Sequence, residues 1–461
     1  MRDGKRVVIT YGTYDMFHFG HVALLERARA LGDYLIVGVT SDEFDRVRGK
    51  LNVAQSLAER IEAVRATGLA DMVIAEEYQG QKISDIRKYG VDVFAIGSDW
   101  EGKFDFLNKY CEVVYLKRTE GVSSTELRAE TMSLVKLGCV GSDYLVGRLV
   151  DECSHVAGIE VVCGFSPDGN NGVYAAAGIE QACSLEDLLE RVDAVYISVP
   201  INLRDGLIAS ALGRNCHVLC ESPLFLSEAR GKQLLDLARG KGLVLMEALK
   251  TLYFPAFDHL RLLLASGVVG EIKDIDASFS HVFDELDKDD VFQGSFYDMA
   301  SYITLPAVTL LGDAYLSSDF ACRFEGDFCT WTKLSLLYET ASATLRVGRG
   351  MKTEGSMIIT GTDGYVYVPA PWWKTEYFEV RGEDLRDIKK YFFGYAGQGQ
   401  RYEVSEFARL IRTDPPRRVL SRSEADVLAV TRLVERFHKG DVARLGNGPY
   451  VFGGGETVKD R

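Results

Sequence analysis

Twice in this chain a short β-rich run ends on a glycine and gives way to a helical pattern, and this repeated opening restricts the fold more than any other feature. The first is VVITYG, Val7 to Gly12, followed from His21 by Leu24, Leu25, Ala28 and Leu31 at helical spacing. The second is KLGCVG, ending at Gly141, which again leads into a helical stretch. After the first opening come YLIVGV (34–39) and VDVFAI (91–96). After the second come GIEVVCGF, VDAVYISVP and CHVLCESP, again with helical stretches between them. Such alternation belongs to parallel strands joined by helical crossovers, so two doubly wound α/β units are expected. From about Leu252 the runs lengthen, as in KLSLLYETASATLRVG and SMIITGTDGYVYVP, which predicts an antiparallel sheet mated to the second unit. The Gly-rich end, LGNGPYVFGGGETVKDR, reads as a mobile tail. The expected boundaries are 1–131, 132–251, 252–440 and 441–461.

At 461 residues the chain is too long for one ordinary core. Its formal net charge of −14 and pI near 5.2 oppose a broad basic face. That argues against nucleic acid and anionic lipid as partners, and for small phosphorylated ligands met by local positive groups. Nine cysteines, from Cys111 to Cys329, show no CxxC pair and no disulfide-scaffold density, so reduced thiols are expected. Cys216 and Cys220, the closest pair, have no metal-ligand partners nearby in sequence. The start, MRDGKRVVITYGTYD, lacks the apolar core of a signal peptide, and no run approaches the ~20 residues of a membrane span. A cytoplasmic protein without membrane insertion is expected.

The segment GTYDMFHFGH, Gly12 to His21, places two of the seven histidines three apart where a loop enters a helix. A helix start favours anions through its free N–H groups, His18 and His21 add side-chain donors, and Gly20 lets a phosphate approach the backbone. Nucleotidyl transfer to a phosphate monoester, already an anion near neutral pH, needs charge stabilisation and positioning more than a base. A pair of capping or core histidines would give the same tetrad.

Over residues 5 to 130 the chain resembles the glycerol-3-phosphate cytidylyltransferases of the HxGH nucleotidyltransferase superfamily. The resemblance is carried by GTYDMFHFGH, by GSDWEGKFDF (Gly97 to Phe106) and by RTEGVSST (Arg118 to Thr125). It implies transfer of CMP from CTP to glycerol 3-phosphate or another small polyol phosphate, within cell-surface polysaccharide or teichoic acid biosynthesis. By the same resemblance His18, His21 and Arg118 are catalytic. Thr13, Tyr14, Asp15, Gly20, Asp71, Ser98, Asp99, Thr119, Ser123, Ser124 and Thr125 contact the nucleotide. Asp15 lies beside Mg2+ carried by CTP, and Arg48 and Lys50 meet the acceptor phosphate. From the residues alone, the Ser/Thr run reads more simply as a helix cap, and the basic pair equally as solvated surface. Two departures stand out: Gly68 occupies the place of a family arginine, with Arg65 near it, and Ser98 replaces an aspartate.

From about 134 to 437 the chain resembles the glucose-fructose oxidoreductase and inositol dehydrogenase family. KLGCVG, VDAVYISVP, HVLCESP, MEALKTLYFP, GSFYDMASY, YVPAPWWKTEYFE and GQGQRYEVSEF recur in family order. The resemblance implies an NAD(P) site at Gly141, Ser166 and Glu221, with Asp298 and Tyr302 at the substrate and Tyr302 as proton donor. Here too the chain departs. Asp143 stands where a second glycine lets backbone meet pyrophosphate, and Ser166 replaces the ribose-binding acid. Ser222 replaces the usual lysine, for which Lys250 is a candidate stand-in, and Trp372, Trp373 and Lys374 read either as a substrate-facing loop or as packing. The expectation is weak or absent NAD(P) binding, and a module that dimerises the chain or senses a nucleotide-sugar. A working reductase acting on the polyol phosphate or its CDP form is the alternative.

Overall fold

The structure of the chain, a computed structural model, describes residues 4–47, 53, 55–78, 80–117, 134–156, 158–170, 172–282, 288, 290–384, 386–415 and 422–446. It divides into two compact units, Met1–Leu134 with Ser154–Ile159, and Val135–Cys153 with Glu160–Arg461. Both have α/β architecture.

In the first unit β1 (Val7–Gly12), β2 (Tyr34–Thr40), β3 (Met72–Glu76), β4 (Val93–Gly97) and β5 (Glu112–Leu116) form one parallel sheet in the order β3-β2-β1-β4-β5. Central β1 is a continuous apolar run because both of its faces are covered. Val8 packs with Leu25, Ala28, Leu35 and Val64 on one side, and Val7 and Ile9 pack with Ile36, Ile86 and Phe94 on the other. Gly38 is required where β2 passes β1, since a Cβ there would lie 2.2 Å from the Tyr11 ring. The strand order reverses between β1 and β4. The crevice beyond their carboxyl ends is where ligands of such sheets bind. The connecting helices are α1 (Phe19–Arg29), α2 (Asp42–Val47), α3 (Leu57–Ala66) and α4 (Gln81–Tyr89). Helix α1 starts two residues earlier than the apolar pattern suggests, because His18 caps it.

The second unit opens with β6 (Val135–Val140), helix α5 (Tyr144–Cys153), β7 (Ile159–Phe165), β8 (Glu180–Gln181), β9 (Ala194–Ile197), β10 (His217–Glu221) and β11 (Leu245–Ala248). The sheet runs β11-β10-β9-β6-β7-β8, with its switch point between β6 and β9. Nine further strands follow: β12 (Ile272–His281), β13 (Ser317–Glu325), β14 (Phe328–Leu337), β15 (Ser342–Arg349), β16 (Met357–Gly361), β17 (Tyr365–Val368), β18 (Tyr377–Arg381), β19 (Ile388–Phe392) and β20 (Ala443–Arg444). They form one sheet in the order β19-β18-β17-β16-β12-β15-β14-β13-β20.

Two details add to these expectations. The last sheet is mixed and not purely antiparallel, because β12 pairs with β15 in parallel across the long connection that holds helix Ser295–Leu311 and the β13–β14 hairpin. The segment expected to begin the tail instead pairs with the sheet. Ala443 lies against Ala321, and Leu445 N–H donates to the Cys322 carbonyl at 2.7 Å. Residues 447–461 lie outside the described residues. All nine cysteines are free thiols. No helix among the described residues is long and apolar enough to cross a membrane.

Candidate active site

The loop leaving β1 carries the first site, and a single arginine holds its shape. Tyr14 and Met16 sit at φ 55° and 49°, a backbone region that side-chain-bearing residues enter only when their surroundings impose it. The imposing group is Arg60 of α3, whose side chain is 0% exposed. Its guanidinium donates to the carbonyls of Thr13 (2.7 Å), Thr40 (2.8 Å) and Gln55 (3.0 Å), and pairs with Asp45 and Asp42. Asp45 in turn accepts from Thr13 Oγ1 at 2.8 Å. Asp15, buried at 1% exposure, accepts from Gln55 N–H at 2.9 Å, and Gln55 Oε1 accepts from Met16 N–H at 2.8 Å. The loop after β1, the end of β2 and the start of α3 are thereby one hydrogen-bonded body. Arg60 was not among the residues expected from sequence. Its signal is position: it occupies the 57, 60, 61, 64 stripe of α3, where Leu57, Ile61 and Val64 are apolar.

His18 is the N-cap of α1. Its Nδ1 accepts from Gly20 N–H at 3.0 Å, while His21 Nδ1 accepts from His18 N–H at 3.4 Å, a reciprocal capping box made of two imidazoles. The rings stack with centroids 4.0 Å apart and 24° between planes. Because each Nδ1 is an acceptor, the neutral ring carries its proton on Nε2. Two N–H donors therefore stand beside the positive end of the helix dipole. Tyr14 presents its ring edge to His21 at 5.4 Å, and Phe17 lies 5.4 Å away.

Other expected residues divide by strand end. Gly12, Thr40, Glu76 and Gly97 close β1, β2, β3 and β4, and Ser98 and Asp99 continue from β4 as a short 3-10 turn, Ser98–Trp100, beside the switch point. Buried Glu76 accepts from Thr40 Oγ1 at 3.2 Å and pairs with Lys82, whose ammonium lies 4.5 Å from the Tyr11 ring centroid. Asp71 stands apart. It precedes β3, at the opposite edge of the sheet, where its carboxylate takes Leu35 N–H at 2.8 Å and pairs with Arg29. That placement anchors strand starts. The Tyr14 side chain is core: at 2% exposure it packs with Val8, Leu25 and Ala28. Arg48, Lys50, Arg118, Thr119, Ser123, Ser124 and Thr125 lie outside the described residues. Lys117, immediately before Arg118, has its carbonyl held by Arg27 of α1. Among the described residues no group of three or more His, Cys, Asp or Glu side chains is arranged to hold a metal.

In the second unit the turn after β6 is tight. Gly141 has φ 138°, and a Cβ there would meet the Ser198 carbonyl at 2.0 Å. Asp143 does more than crowd this turn. Its Oδ1 accepts the N–H groups of Leu145 and Val146, both at 3.1 Å, and its Oδ2 accepts from Ser198 Oγ at 2.7 Å. The carboxylate thus takes the donors at the start of α5 that a cofactor pyrophosphate would use. At the end of β7 Ser166 is accompanied by an acid that the sequence reading passed over. Asp168 Oδ2 accepts from Ser142 Oγ at 2.7 Å and its Oδ1 from Ser166 Oγ at 2.5 Å, and these bonds hold its carboxyl down at about 2.

Glu221 accepts from Tyr196 O–H at 2.5 Å, yet burial pushes its carboxyl up to about 7. Lys250 follows β11, the neighbour of β10, and its Nζ donates to the Gln398 carbonyl at 3.1 Å. Burial lowers the Lys250 pKa against the opposing charges of Glu403 and Glu221. Asp298 pairs with Arg349 at 2.6 Å. Tyr302 sets its ring against Phe279 at 5.6 Å, and burial pushes its hydroxyl well up.

Comparison with known proteins follows the same division. Residues 9–130 match the cytidylyltransferase-like family. They are 52% identical over 127 residues to a glycerol-3-phosphate cytidylyltransferase of Bacillus spizizenii, covering 28% of this chain and 98% of that protein. The chain belongs to this cytidylyltransferase family. A Staphylococcus aureus protein of the same name is 50% identical over 123 residues, covering 27% of this chain and 92% of its own. Behind the cytidylyltransferase module, residues 135–249 match an oxidoreductase family with an NAD-binding Rossmann fold. The second unit is thus an oxidoreductase-family module fused to the first. A scyllo-inositol 2-dehydrogenase (NADP(+)) of Bacillus subtilis is 23% identical over 295 residues, covering 60% of this chain and 89% of that protein. A 3-ketoreductase from Actinomadura kijaniata, solved with NADP and TDP-benzene, shares the fold with TM-score 0.59 at 22% identity, covering 68% of this chain and 99% of its own.

Proposed function

We propose that the cytidylyltransferase module joins CTP and glycerol 3-phosphate to give CDP-glycerol and pyrophosphate. A phosphate oxygen of glycerol 3-phosphate attacks the α-phosphorus of CTP, and the bond from that phosphorus to the bridging oxygen of pyrophosphate breaks. The observation carrying this reading is the His18–His21 pair at the start of α1, where each Nδ1 accepts a backbone N–H and each neutral ring carries its proton on Nε2, beside the positive end of the helix dipole. Thr13 and Asp15, fixed through Arg60 and Gln55, shape the floor beneath the triphosphate. Magnesium arrives on CTP, and Asp15 is the carboxylate that would face it. Ser98 and Asp99 would bond the nucleoside beyond β4. Arg118, Thr119, Ser123, Ser124 and Thr125 would hold the nucleotide phosphates, and Arg48 and Lys50 the acceptor phosphate. The test is product formation by purified protein from labelled CTP with a panel of polyol phosphates, ATP being run in place of CTP. CTP with glycerol 3-phosphate is expected to lead. Preference for ribitol phosphate would change the acceptor, and equal pyrophosphate release from ATP would refute the cytidylyl assignment.

For the oxidoreductase-family module we favour a binding role without hydride transfer, supported by Asp143 at the start of α5 and by Ser222 in place of a lysine. The rival, an NAD(P)-dependent reductase of a polyol phosphate or its CDP form, draws support from Asp168, an acid next to the expected ribose position. Nicotinamide retained through purification, read by absorbance and fluorescence, would decide for the rival.

A further inference from the structure

We infer that Asp45 is a positioning residue for the acceptor side of the cytidylyl transfer: through Thr13 it fixes the end of α2, from which the chain runs on to Arg48 and Lys50. This rests on the reaction proposed above for the first module.

Helix α2 has six residues, Asp42–Val47, and a helix that short has little stability of its own, so its place is set by its tethers. Its first turn is tied towards β3 and α3. Ser41 N–H donates to the Glu76 carbonyl at 2.8 Å, and Asp42 pairs with Arg60. Ser41 also opens the helix, its hydroxyl accepting from Phe44 N–H at 3.2 Å and its carbonyl from Asp45 N–H at 2.8 Å. One turn further on, Asp45 reaches the loop after β1. Its Oδ1 accepts from Thr13 Oγ1 at 2.8 Å, and its Oδ2 lies 3.4 Å from Arg60 Nη1. The Asp45 side chain is 0% exposed, and burying a carboxylate is costly unless it is both paired and hydrogen-bonded. An apolar side chain in this place would avoid that cost, but it would leave the end of α2 without its bond to the loop.

Losing Asp45 affects the two sides unequally. The nucleotide side keeps its other ties: Arg60 still donates to the Thr13 carbonyl at 2.7 Å, Gln55 still bonds Asp15 and Met16, and the His18–His21 box belongs to α1 itself. Arg60 keeps Asp42 as a counter-charge. The acceptor side loses a link that stands three residues before Arg48 in the chain. Arg48 and Lys50 lie outside the described residues, and their proposed task is to hold the acceptor phosphate for in-line attack on the α-phosphorus. A misplacement of about 1 Å in such an arrangement can cost about a hundredfold in rate. The effect of removing Asp45 therefore falls on the acceptor more than on CTP.

The test uses the full chain in steady-state assays of CDP-glycerol formation, with glycerol 3-phosphate and CTP varied in turn, for the parent, Asp45→Ala and Asp45→Asn. Alanine is expected to raise the KM for glycerol 3-phosphate by about tenfold or more, and the KM for CTP by less than about threefold. Asparagine can still accept from Thr13 Oγ1, and is expected to bring the acceptor KM back to within about threefold of the parent. A joint rise of both KM values, or no change in either, would overturn the inference. Hydrogen exchange over residues 12–16 and 42–47 gives a readout independent of the reaction: Asp45→Ala should quicken exchange in α2 and leave the loop protected. If the parent forms no CDP-glycerol, the proposed reaction fails, and exchange alone judges Asp45: quickened exchange in α2 upholds the tie, and unchanged exchange overturns it. If Asp45→Ala does not fold, Thr13→Val, which removes the hydroxyl on the other side of the same bond, is read in both measurements, and an unaltered acceptor KM overturns the proposal.

Discussion

Replacing Asp143 by glycine separates two roles of one carboxylate. In the native chain it accepts three hydrogen bonds, from Leu145 N–H, Val146 N–H and Ser198 Oγ. A cofactor pyrophosphate must either displace it from those donors, each bond to a charged acceptor being worth about 1.5–3 kcal/mol, or bind beside it. Two unit charges 4 Å apart repel by about 4 kcal/mol at an effective dielectric near 20. The displacement route sums to about 4.5–9 kcal/mol and the repulsion route to about 4, so the lesser penalty, about 4 kcal/mol, is close to a thousandfold in affinity at about 1.4 kcal/mol per decade. The helix cap itself costs little to lose, because glycine serves as N-cap within a few tenths of a kcal/mol of aspartate. Asp143→Gly should therefore bind NADPH about a hundred to a thousand times more tightly than the parent, with only a small fall in melting temperature. Calorimetric titration of both full-length proteins with NADPH and NADH measures this. A low-micromolar dissociation constant for the unaltered chain, or equal constants for the two proteins, would refute the reasoning and restore the reductase.

Three further outcomes are expected. His18→Ala and His21→Ala should each lower CDP-product formation at least a hundredfold, the equivalent of ~3 kcal/mol of transition-state stabilisation, without unfolding; near-normal turnover in either contradicts the role given to the pair. Arg60→Met should cost about 3–5 kcal/mol in urea unfolding, because it removes the cation paired with Asp45, itself 0% exposed, and should abolish turnover by releasing the Thr13 loop; wild-type stability would show that Arg60 is dispensable. Glu221 titrates near 7 in the fold because burial raises it, so the folded state binds more protons than the unfolded chain between pH 4.5 and 7, and stability falls as pH rises through that window. Glu221→Gln should then gain on the order of 1–3 kcal/mol over the parent at pH 8 and nothing at pH 4, whereas parallel stability curves for the two proteins would exclude the shift.

What was legible in the sequence was whatever is decided locally. The β1-to-α1 junction, its two histidines and the glycine between them lie within ten residues, and a strand-loop-helix pattern fixes their neighbourhood almost alone. For Asp71, a motif position says nothing about which end of its strand a residue occupies. It precedes MVIAE, and a residue ahead of its strand lies opposite the switch point. Arg60 was missed for the opposite reason. Its partners Thr13, Thr40 and Gln55 come from three elements, and only the packed fold shows that a charge on an apolar stripe is satisfied by carbonyls up to 47 residues away. Asp168 escaped similarly, two residues beyond the position at which an acid was sought.

The two modules make the same backbone gesture, a parallel strand turning through a loop into a helix start, and the N-cap residue decides what that start can receive. In the first module the cap is His18. A neutral imidazole accepts Gly20 N–H through Nδ1, so it adds no negative charge and brings a new donor on Nε2, and the helix start stays electropositive. In the second the cap is Asp143, which accepts two N–H groups and a hydroxyl and supplies a full negative charge of its own, so the start is already neutralised. A phosphate approaching the first end meets donors; one approaching the second meets a carboxylate.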